Sequence, residues 1–491
     1  MKKLFFVATA LLCGAISANA VDYLVQTGKA GDAVWTDAAI TALNVATDKV
    51  IDLSKGGTLP TTGEIWFAAG TYDFTAQYAI TQGAKLYGGF AGTETKTPTR
   101  ALKASNKPYD FTNPTIFNVK QPETDDKVKI LPEQVNGLVL DGICIQNSVG
   151  TGTAGVCRLA SGSKVFNCTF KNCSSNNQGG VFMIYNATAT IGGCLFEGNY
   201  AKQGGVIHIG SGTNPNYTVT IDTCDFLNNY IISGGNAGGA INKQNDGETL
   251  LISNCNFIGN DAPSNGATLS INGVSTTTIA NSLITGSKTK TAIYVPGSLN
   301  LYYCTVVENA AGAIYVANVN TTNAVVNIKN NVFWATTAAA ANCGLASAKG
   351  TATNNASLQN WTGSENLSVA DNIKLELTNT GNEGKLYPVF ADPENGDFNI
   401  GEGSALIGKG VAIEGITTDI TGKTRETLDL GAYEHISGED IGSAVENTEK
   451  APLDIQAALQ AGEVYNLLGQ RVGELQAGNI YIVGGQKVLM Q

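Results

Sequence analysis

Apolar and polar residues recur in a fixed order through the middle of the chain. Each copy reads apolar, two residues, Cys, one residue, Phe, two residues, Asn, and it is clearest at 191–199, 221–229 and 252–260. Successive copies start 25, 26, 30, 31, 27, 22 and 27 residues apart, counted at Ile143, Cys168, Cys194, Cys224, Cys255, Ser282, Cys304 and Asn331. A period between 20 and 50 residues is typical of stacked repeat architectures.

A pair of glycines followed by two apolar residues recurs after these copies, at 179–182, 204–207 and 238–241, with weaker forms at 266–267 and 312–314. Each repeat therefore contains short alternating apolar stretches between Gly- and Asn-rich turns, which is a strand pattern. We predict an all-β chain folded as a parallel β-helix, a solenoid in which one repeat is one coil. The clearest repeats span 140–335.

Residues one period apart in such a solenoid stack at the inter-strand spacing of about 4.8 Å. Two columns are expected to line the interior, one of cysteines and one of phenylalanines. A third column is expected at turns, where Asn tolerates the left-handed backbone region and bonds neighbouring backbone. The columns are Cys168, Cys194, Cys224, Cys255 and Cys304; Phe170, Phe196, Phe226 and Phe257; and Asn199, Asn229, Asn260 and Asn309.

The cysteine column has three interpretations. Zinc needs converging ligands at short spacing, and steps of a whole coil do not converge. Disulfides between coils would join Cβ atoms about 4.8 Å apart, beyond the preferred range of roughly 3.5 to 4.5 Å. We favour small buried thiols that fill a narrow interior.

The ends of the chain differ from the repeats. Lys2 and Lys3 precede an apolar run and an Ala-Asn-Ala site, which predicts a Sec signal peptide over residues 1–20. Residues 21–435 are assigned to the β-helix, with an amphipathic capping helix near 35–46 that would cover the first coil. A polar linker is predicted over 436–462, and a small β module with a Gly-Gly hairpin turn over 463–491.

Several segments resemble known families. Residues 65–72 (IWFAAGTY) and 86–94 (LYGGFAGTE) resemble the opening coils of secreted pectate-lyase-like proteins, which implies a right-handed parallel β-helix behind a capping helix. The Gly-Gly-Ala/Val-Ile/Phe and Phe-x-x-Asn tetrapeptides resemble the repeats of polymorphic outer-membrane proteins, which are surface-exposed and include adhesins. Residues 404–434 resemble the closing coil of choice-of-anchor β-helix proteins, and the last residues resemble type IX secretion modules.

Composition narrows the class of partner. Asp and Glu number 41 against 30 Lys and Arg, a formal net charge of −11. An acidic chain is a poor binder of phosphate backbones, so we expect no nucleic acid partner. No apolar run beyond the N-terminus is long enough for a transmembrane helix in the mature chain.

No catalytic constellation is recognisable, and we expect no metal site and no cofactor. The chain has no Gly-His-Gly element, and its adjacent carboxylates at 125–126 precede the repeats. His208 lies between two isoleucines, so alternation predicts that it points outward, where it is a candidate ligand-binding residue. Tyr294, Tyr302, Tyr303 and Tyr315 are candidates for an aromatic strip that stacks on sugar rings, although alternation sends some of them inward.

We therefore expect a non-catalytic protein, exported through Sec to the outer-membrane surface or the medium, that presents an extended surface for adhesion or glycan binding. Its expected partners are host or microbial glycans or surface proteins, together with the sorting machinery that would recognise the C-terminal module. The alternative is a polysaccharide lyase or glycoside hydrolase acting on an acidic polysaccharide.

Overall fold

The computed structural model describes residues 21–95, 100–210, 216–232, 235, 237–244, 248–317, 324–336, 342–375, 379–380, 386–387, 389–435, 464–465, 480–483 and 486–489. The predicted signal peptide and the predicted linker lie outside the described residues. The chain divides into two compact units, one ending at His435 and the other beginning at Ile436.

Three long parallel sheets, which we call A, B and C, build the first unit together with a short parallel sheet D. Sheet A has 14 strands: Tyr23–Gln26, Val50–Asp52, Glu64–Ala68, Lys85–Phe90, Val139–Asp141, Ser163–Phe166, Ala189–Gly192, Thr218–Asp222, Thr249–Ser253, Thr277–Ala280, Leu299–Tyr302, Val326–Lys329, Gly350–Thr353 and Leu367–Ala370. Sheet B has 12: Gly70–Phe74, Thr115–Val119, Ile143–Gln146, Thr169–Lys171, Leu195–Glu197, Asp225–Leu227, Asn256–Ile258, Leu283–Thr285, Thr305–Val307, Val332–Trp334, Ala356–Ser357 and Ile373–Lys374.

Sheet C has nine strands: Gln134–Val135, Cys157–Leu159, Phe182–Ile184, Ile207–Ile209, Ile241–Lys243, Leu269–Ile271, Ile293–Val295, Ile314–Val316 and Cys343–Gly344. Sheet D has four: Val149–Gly150, Ser174–Ser175, Tyr200–Ala201 and Tyr230–Ile231. Where all four sheets are present, the chain runs from A through B, D and C and back to A. This path is the predicted right-handed parallel β-helix.

The pairing register reproduces the spacing of the sequence repeat. Partner residues in sheet B are separated by 25, 26, 30, 31, 27, 22 and 27 residues, from Cys144 opposite Thr169 to Val306 opposite Phe333. One repeat is therefore one coil, and the predicted fold class is confirmed.

The interior is lined by stacked side chains. Phe170, Phe196, Phe226 and Phe257 are fully buried, and consecutive rings stack with centroids 5.2, 4.8 and 4.6 Å apart. Stacked aromatic pairs add to the stabilisation that burial of their apolar area provides.

The cysteine column is also fully buried, and the nine described cysteines are free thiols. The backbone N–H of Cys194 donates to Cys224 Sγ at 3.5 Å, and that of Cys224 donates to Cys255 Sγ at 3.5 Å. Ser282 Oγ and Asn331 Oδ1 accept the corresponding bonds further along the column. Burial raises the pKa of Cys304 to about 12. The thiols thus serve as hydrogen-bond acceptors as well as packing groups.

The asparagine column differs from the prediction. Asn199, Asn229 and Asn260 are fully buried, and the backbone N–H of each coil donates to the side chain of the next, as Asn199 N does to Asn229 Oδ1 at 2.9 Å. The left-handed backbone conformation belongs to the residue before each of them, as at Asn228 with φ 53°. The prediction that the column itself adopts this conformation is wrong, because the bend lies one residue earlier and turns the column inward.

The two glycines of each pair have different roles. Gly204 has φ 62°, which glycine adopts without steric cost. A Cβ on Gly205 would lie 1.9 Å from the carbonyl oxygen of Gly239, in the next coil. The first glycine therefore permits the turn, and the second permits close approach of successive coils.

An α-helix, Asp37–Leu43, lies at the N-terminal end of the unit, where the sequence predicts a capping helix. Thr36 caps it by accepting a bond from Ala39 N. Its buried side joins an apolar cluster with Trp35, Trp66 and Phe90. Short 3₁₀ helices occupy Thr47–Lys49, Leu53–Lys55 and Pro393–Asn395.

Antiparallel pairs follow the last coils. Asn379–Thr380 pairs with Leu386–Tyr387, and Phe390–Asp392 pairs with Asp397–Ile400. The second unit contains a three-stranded antiparallel sheet of Val464–Tyr465, Ile480–Val483 and Gln486–Leu489. In the described part of the chain, no helix has the length and apolar character needed to cross a bilayer.

Candidate functional site

The outer face of sheet C presents one side chain per coil, because the middle residue of each three-residue strand points away from the interior. Consecutive coils align these residues in a column through the strand register. The column runs Gln134, Arg158, Met183, His208, Asn242, Ser270, Tyr294, Tyr315 and Gly344.

Tyr294, which is half-buried, and Tyr315, which is exposed, form an aromatic pair on this face. Their rings are nearly parallel, with centroids 6.0 Å apart, and Tyr315 is 41% exposed. A Cβ on Gly344 would lie 2.7 Å from the Tyr315 ring, so the ring rests on this glycine. Aromatic faces carry partial negative charge, so they attract the C–H groups of a sugar ring as well as its apolar surface. The pair is therefore a suitable platform for a glycan.

Tyr302 and Tyr303 do not belong to this strip. Tyr302 ends a strand of sheet A, and Tyr303 follows it at a bend with φ 50°. Tyr303 is fully buried, and its hydroxyl donates to the carbonyl of Val411 at 2.8 Å. Tyr302 and Tyr303 are therefore wrong as candidates for the strip, because the C-terminal part of the unit covers the bend between sheets A and B.

Arg425 is the main contact of that cover. Its guanidinium lies 3.9 Å from the centroid of the Tyr303 ring and donates to Asn281 Oδ1 at 3.0 Å. It also bonds the carbonyls of Gly431 and Ala432 and pairs with Glu434 at 3.4 Å. This arrangement is structural, since the guanidinium is buried. Its contacts with Tyr303 and Asn281 join residues 389–435 to the coils, and its other contacts lie within that segment.

His208 lies on the outer face of sheet C but is fully buried, so the expectation of a surface histidine is wrong. Its Nδ1 lies 3.1 Å from Asn242 Nδ2, whereas His208 Nε2 and Asn242 Oδ1 have no hydrogen-bond partner in the described part of the chain. Burial lowers the pKa of His208 to about 4, so the imidazole is neutral near pH 7. His208 is therefore not accessible to a surface ligand.

A buried lysine departs from the alternation of sheet C. Lys243 occupies the inward position that isoleucine or valine holds in neighbouring coils, and it is fully buried. Its Nζ donates to Ser275 Oγ at 2.6 Å and to the carbonyl of Asn272 at 3.3 Å. The nearby Glu248, also buried, accepts a bond from Asn186 N. The long stem of the lysine takes part in the core while its ammonium bonds the turn residues.

The structure contains a second aromatic pair at the surface that the sequence analysis does not identify. Tyr200 and Tyr230 face each other in sheet D, with ring centroids 5.1 Å apart and an interplanar angle of 16°. Both directly follow a residue of the asparagine column, so the recurring Asn-Tyr dipeptide was the signal that could have revealed them.

The described residues contain no group of three or more His, Cys, Asp or Glu residues that could hold a metal ion. The candidate site on the outer face of sheet C consists of the tyrosine pair together with the polar side chains of the same column, among them the cation Arg158.

No family model and no curated protein match this chain. Among solved structures, the chain is similar to that described as the crystal structure of pectate lyase Pel9A, at 12% sequence identity and a TM-score of 0.43. The match covers 86% of this chain and 99% of that chain. The fold assignment above rests on the strand pairing itself.

Proposed function

We propose that this chain is an exported β-helix protein that binds glycans without transforming them, through the outer face of sheet C. The observation that carries the proposal is the Tyr294–Tyr315 pair, whose rings the strand register aligns, with Tyr294 half-buried and Tyr315 exposed. Neither hydroxyl has a hydrogen-bond partner within the described ranges, so both can bond a ligand. Export through Sec and display at the outer-membrane surface or in the medium follow from residues 1–20 and the C-terminal module, and belong to the same proposal.

A glycan array with the purified protein tests this function. We expect binding that weakens about tenfold in Tyr315→Ala, since loss of a stacked aromatic contact costs up to about 1.4 kcal/mol. Tyr185→Ala is the matched control, because Tyr185 is also 41% exposed but lies outside the strip. Absence of binding to any glycan, or equal loss in both variants, contradicts the proposal.

The alternative is a lyase or hydrolase that acts on an acidic polysaccharide. Arg158 favours it, because this cation lies on the same face of sheet C and bonds Gln134 in the neighbouring coil. A guanidinium is suited to the carboxylate of a uronic acid. Release of unsaturated or reducing ends from a polyuronate by the purified protein, and loss of that release in Arg158→Ala, would establish this alternative in place of the binding function.

A further inference from the structure

The corner between sheets B and D carries a concave surface that sequence inspection did not reveal. Tyr230 stacks on Tyr200 at this corner and is 40% exposed. Beside it lies a hollow of about 440 Å³, lined by Tyr230, Ile232, Asp261 and Lys288 among others. This volume is in the range of small-ligand pockets.

Asp261 is held in a fixed orientation in this hollow. Its Oδ1 accepts bonds from the backbone N–H groups of Lys288 and Thr289, at 3.3 and 3.2 Å, and from Thr289 Oγ1 at 2.9 Å. Asp261 Oδ2, Lys288 Nζ and the Tyr230 hydroxyl have no partner among the described residues. An oriented acceptor, a donor and an aromatic face thus surround one space.

A second hollow, of about 570 Å³, adjoins the first. Ile258 lines the second hollow and the next residue, Gly259, lines the first, so the two hollows lie side by side on the surface. Glu308, Glu394 and Phe398 contribute to the second hollow. We call the two hollows together the B–D cleft.

The charge of the B–D cleft restricts its ligand. Three carboxylates, Asp261, Glu308 and Glu394, face it against one ammonium group, that of Lys288. Like charges brought together in a partly desolvated cleft repel each other. A polyuronate or a sulfated chain is therefore disfavoured.

We propose that the B–D cleft binds a neutral oligosaccharide, as a second glycan site separate from the Tyr294–Tyr315 pair. One sugar ring stacks on Tyr230, and hydroxyl groups bond Asp261 Oδ2 and Lys288 Nζ. Carboxylates suit this task because they accept hydrogen bonds from neighbouring hydroxyl groups of one sugar. This inference rests on the proposed function only in taking a glycan as the ligand.

Titration calorimetry with neutral gluco-, xylo- and chito-oligosaccharides of four to six units tests the cleft, with an oligogalacturonate of equal length as the charged comparison. The variants are Tyr230→Ala in the cleft, Tyr315→Ala on sheet C and Tyr185→Ala as the matched exposed control. We expect at least one neutral oligosaccharide to bind, with a Kd raised about tenfold in Tyr230→Ala and unchanged in Tyr185→Ala. The oligogalacturonate should bind at least about tenfold more weakly than the neutral ligand.

The outcomes separate the two sites. A neutral ligand whose affinity responds to Tyr315→Ala and not to Tyr230→Ala overturns the cleft and leaves the proposed function standing. A response to Tyr230→Ala alone supports the cleft and counts against sheet C. Tighter binding of the oligogalacturonate, or no binding of any neutral oligosaccharide, overturns the cleft proposal. Folding of each variant is checked by far-ultraviolet circular dichroism, and Tyr230→Phe, which keeps the ring, should retain most of the affinity.

Discussion

Sheets B and C belong to the same coils and pair in the same parallel manner, yet their outer faces differ in solvent exposure. In the C-terminal coils, the outer face of sheet B carries Leu283, Val307, Val332 and Trp334, all of which are buried. Residues 389–430 cover them with an apolar cluster of their own. On sheet C, the corresponding face carries Tyr294 and Tyr315, and Tyr315 is 41% exposed.

The difference shows that the interior sets the fold and the covering segments decide which face can bind a ligand. The inward residues of both sheets are apolar at most positions, with Lys243 in sheet C and Ser357 in sheet B as exceptions, so they do not distinguish the faces. Where the C-terminal segment covers sheet B, the outer positions are mostly apolar, and the buried Thr305 among them accepts a bond from Ala432 N. Where the face stays open, it keeps aromatic side chains with polar tips, which suit a wet surface.

Removing the main contact of the cover should give the largest effect. Arg425→Met leaves Glu434 buried without its cation, and we expect the free energy of unfolding to fall by about 3 to 5 kcal/mol. Urea denaturation measures the loss, and protease cleavage within 389–435 should become faster. Lys409→Ala, an exposed cation in the same segment, should change neither. An Arg425→Met protein as stable as the parent would show that the cover is held by apolar contacts alone.

The two faces themselves can be compared with one substitution each. Trp334→Ala removes a ring that is 5% exposed and whose centroid lies 5.6 Å from that of the Phe390 ring. We therefore expect the free energy of unfolding to fall by about 3 kcal/mol. Tyr315→Ala removes a ring that is 41% exposed, and we expect a loss below about 1 kcal/mol. Thermal and urea unfolding measure both. Similar losses at the two positions would mean that the face of sheet C is not open in the folded protein.

The buried part of sheet C should make stability depend on pH. The pKa of His208 is lowered to about 4 by burial, against 6.5 for an ordinary histidine, so the unfolded chain binds more protons between these values. Stability due to this group is fully present above pH 6.5 and is lost as the pH falls toward 4, by about 2 to 3 kcal/mol at pH 4.5.

Urea denaturation at pH 7 and pH 4.5 measures this dependence. In His208→Met the difference between the two pH values should shrink by about that amount, because no imidazole remains to be protonated. His435→Gln is the control, since His435 uses its backbone N–H to bond Asp429. An unchanged pH dependence in His208→Met would show that His208 is open to solvent.

The smallest effect on stability is expected at an exposed ion pair on the outer face of sheet B. Lys107 Nζ lies 2.9 Å from Asp225 Oδ2 on the outer face of this sheet, but its side chain is 47% exposed. Because exposed ion pairs contribute little, Lys107→Ala should lower stability by less than about 1 kcal/mol. A loss comparable to that of Arg425→Met would show that the Lys107–Asp225 pair stabilises the fold as much as the buried contacts of Arg425 do.

The sequence predicts the coil register residue by residue, because the Cys-x-Phe signal lies at the same bend in four successive coils and degenerate copies continue it on either side. It does not predict which bends are covered. The contact of Arg425 with Tyr303 joins segments far apart in the chain, and no local pattern encodes such a pair. Alternation correctly places His208 on the outer face of sheet C, but alternation carries no information about what lies over that face.

The candidate site residues likewise fall into some that the sequence predicts and some that it does not. Tyr294 and Tyr315 were named from their strand pattern, and the register explains why their rings align. Tyr200 and Tyr230 belong to strands of two residues, too short for alternation to be recognised. Asp261 and Lys288 are brought together only by stacking of successive coils, so the B–D cleft required the three-dimensional structure.

Hydrogen bonds pass from the backbone of one coil to the Cys, Ser or Asn side chain of the next over 27 to 31 residues in the cysteine column. The same kind of bond spans only 22 residues from Ser287 N to Asn309 Oδ1 in the asparagine column. The scaffold can therefore gain or lose whole coils without a change in the hydrogen bonds that join one coil to the next. Excision of residues 195–224 would bring Asp225 directly after Cys194 and should yield a shorter soluble rod. Relatives of this molecule are expected to differ in the number of turns more readily than in how one turn meets the next.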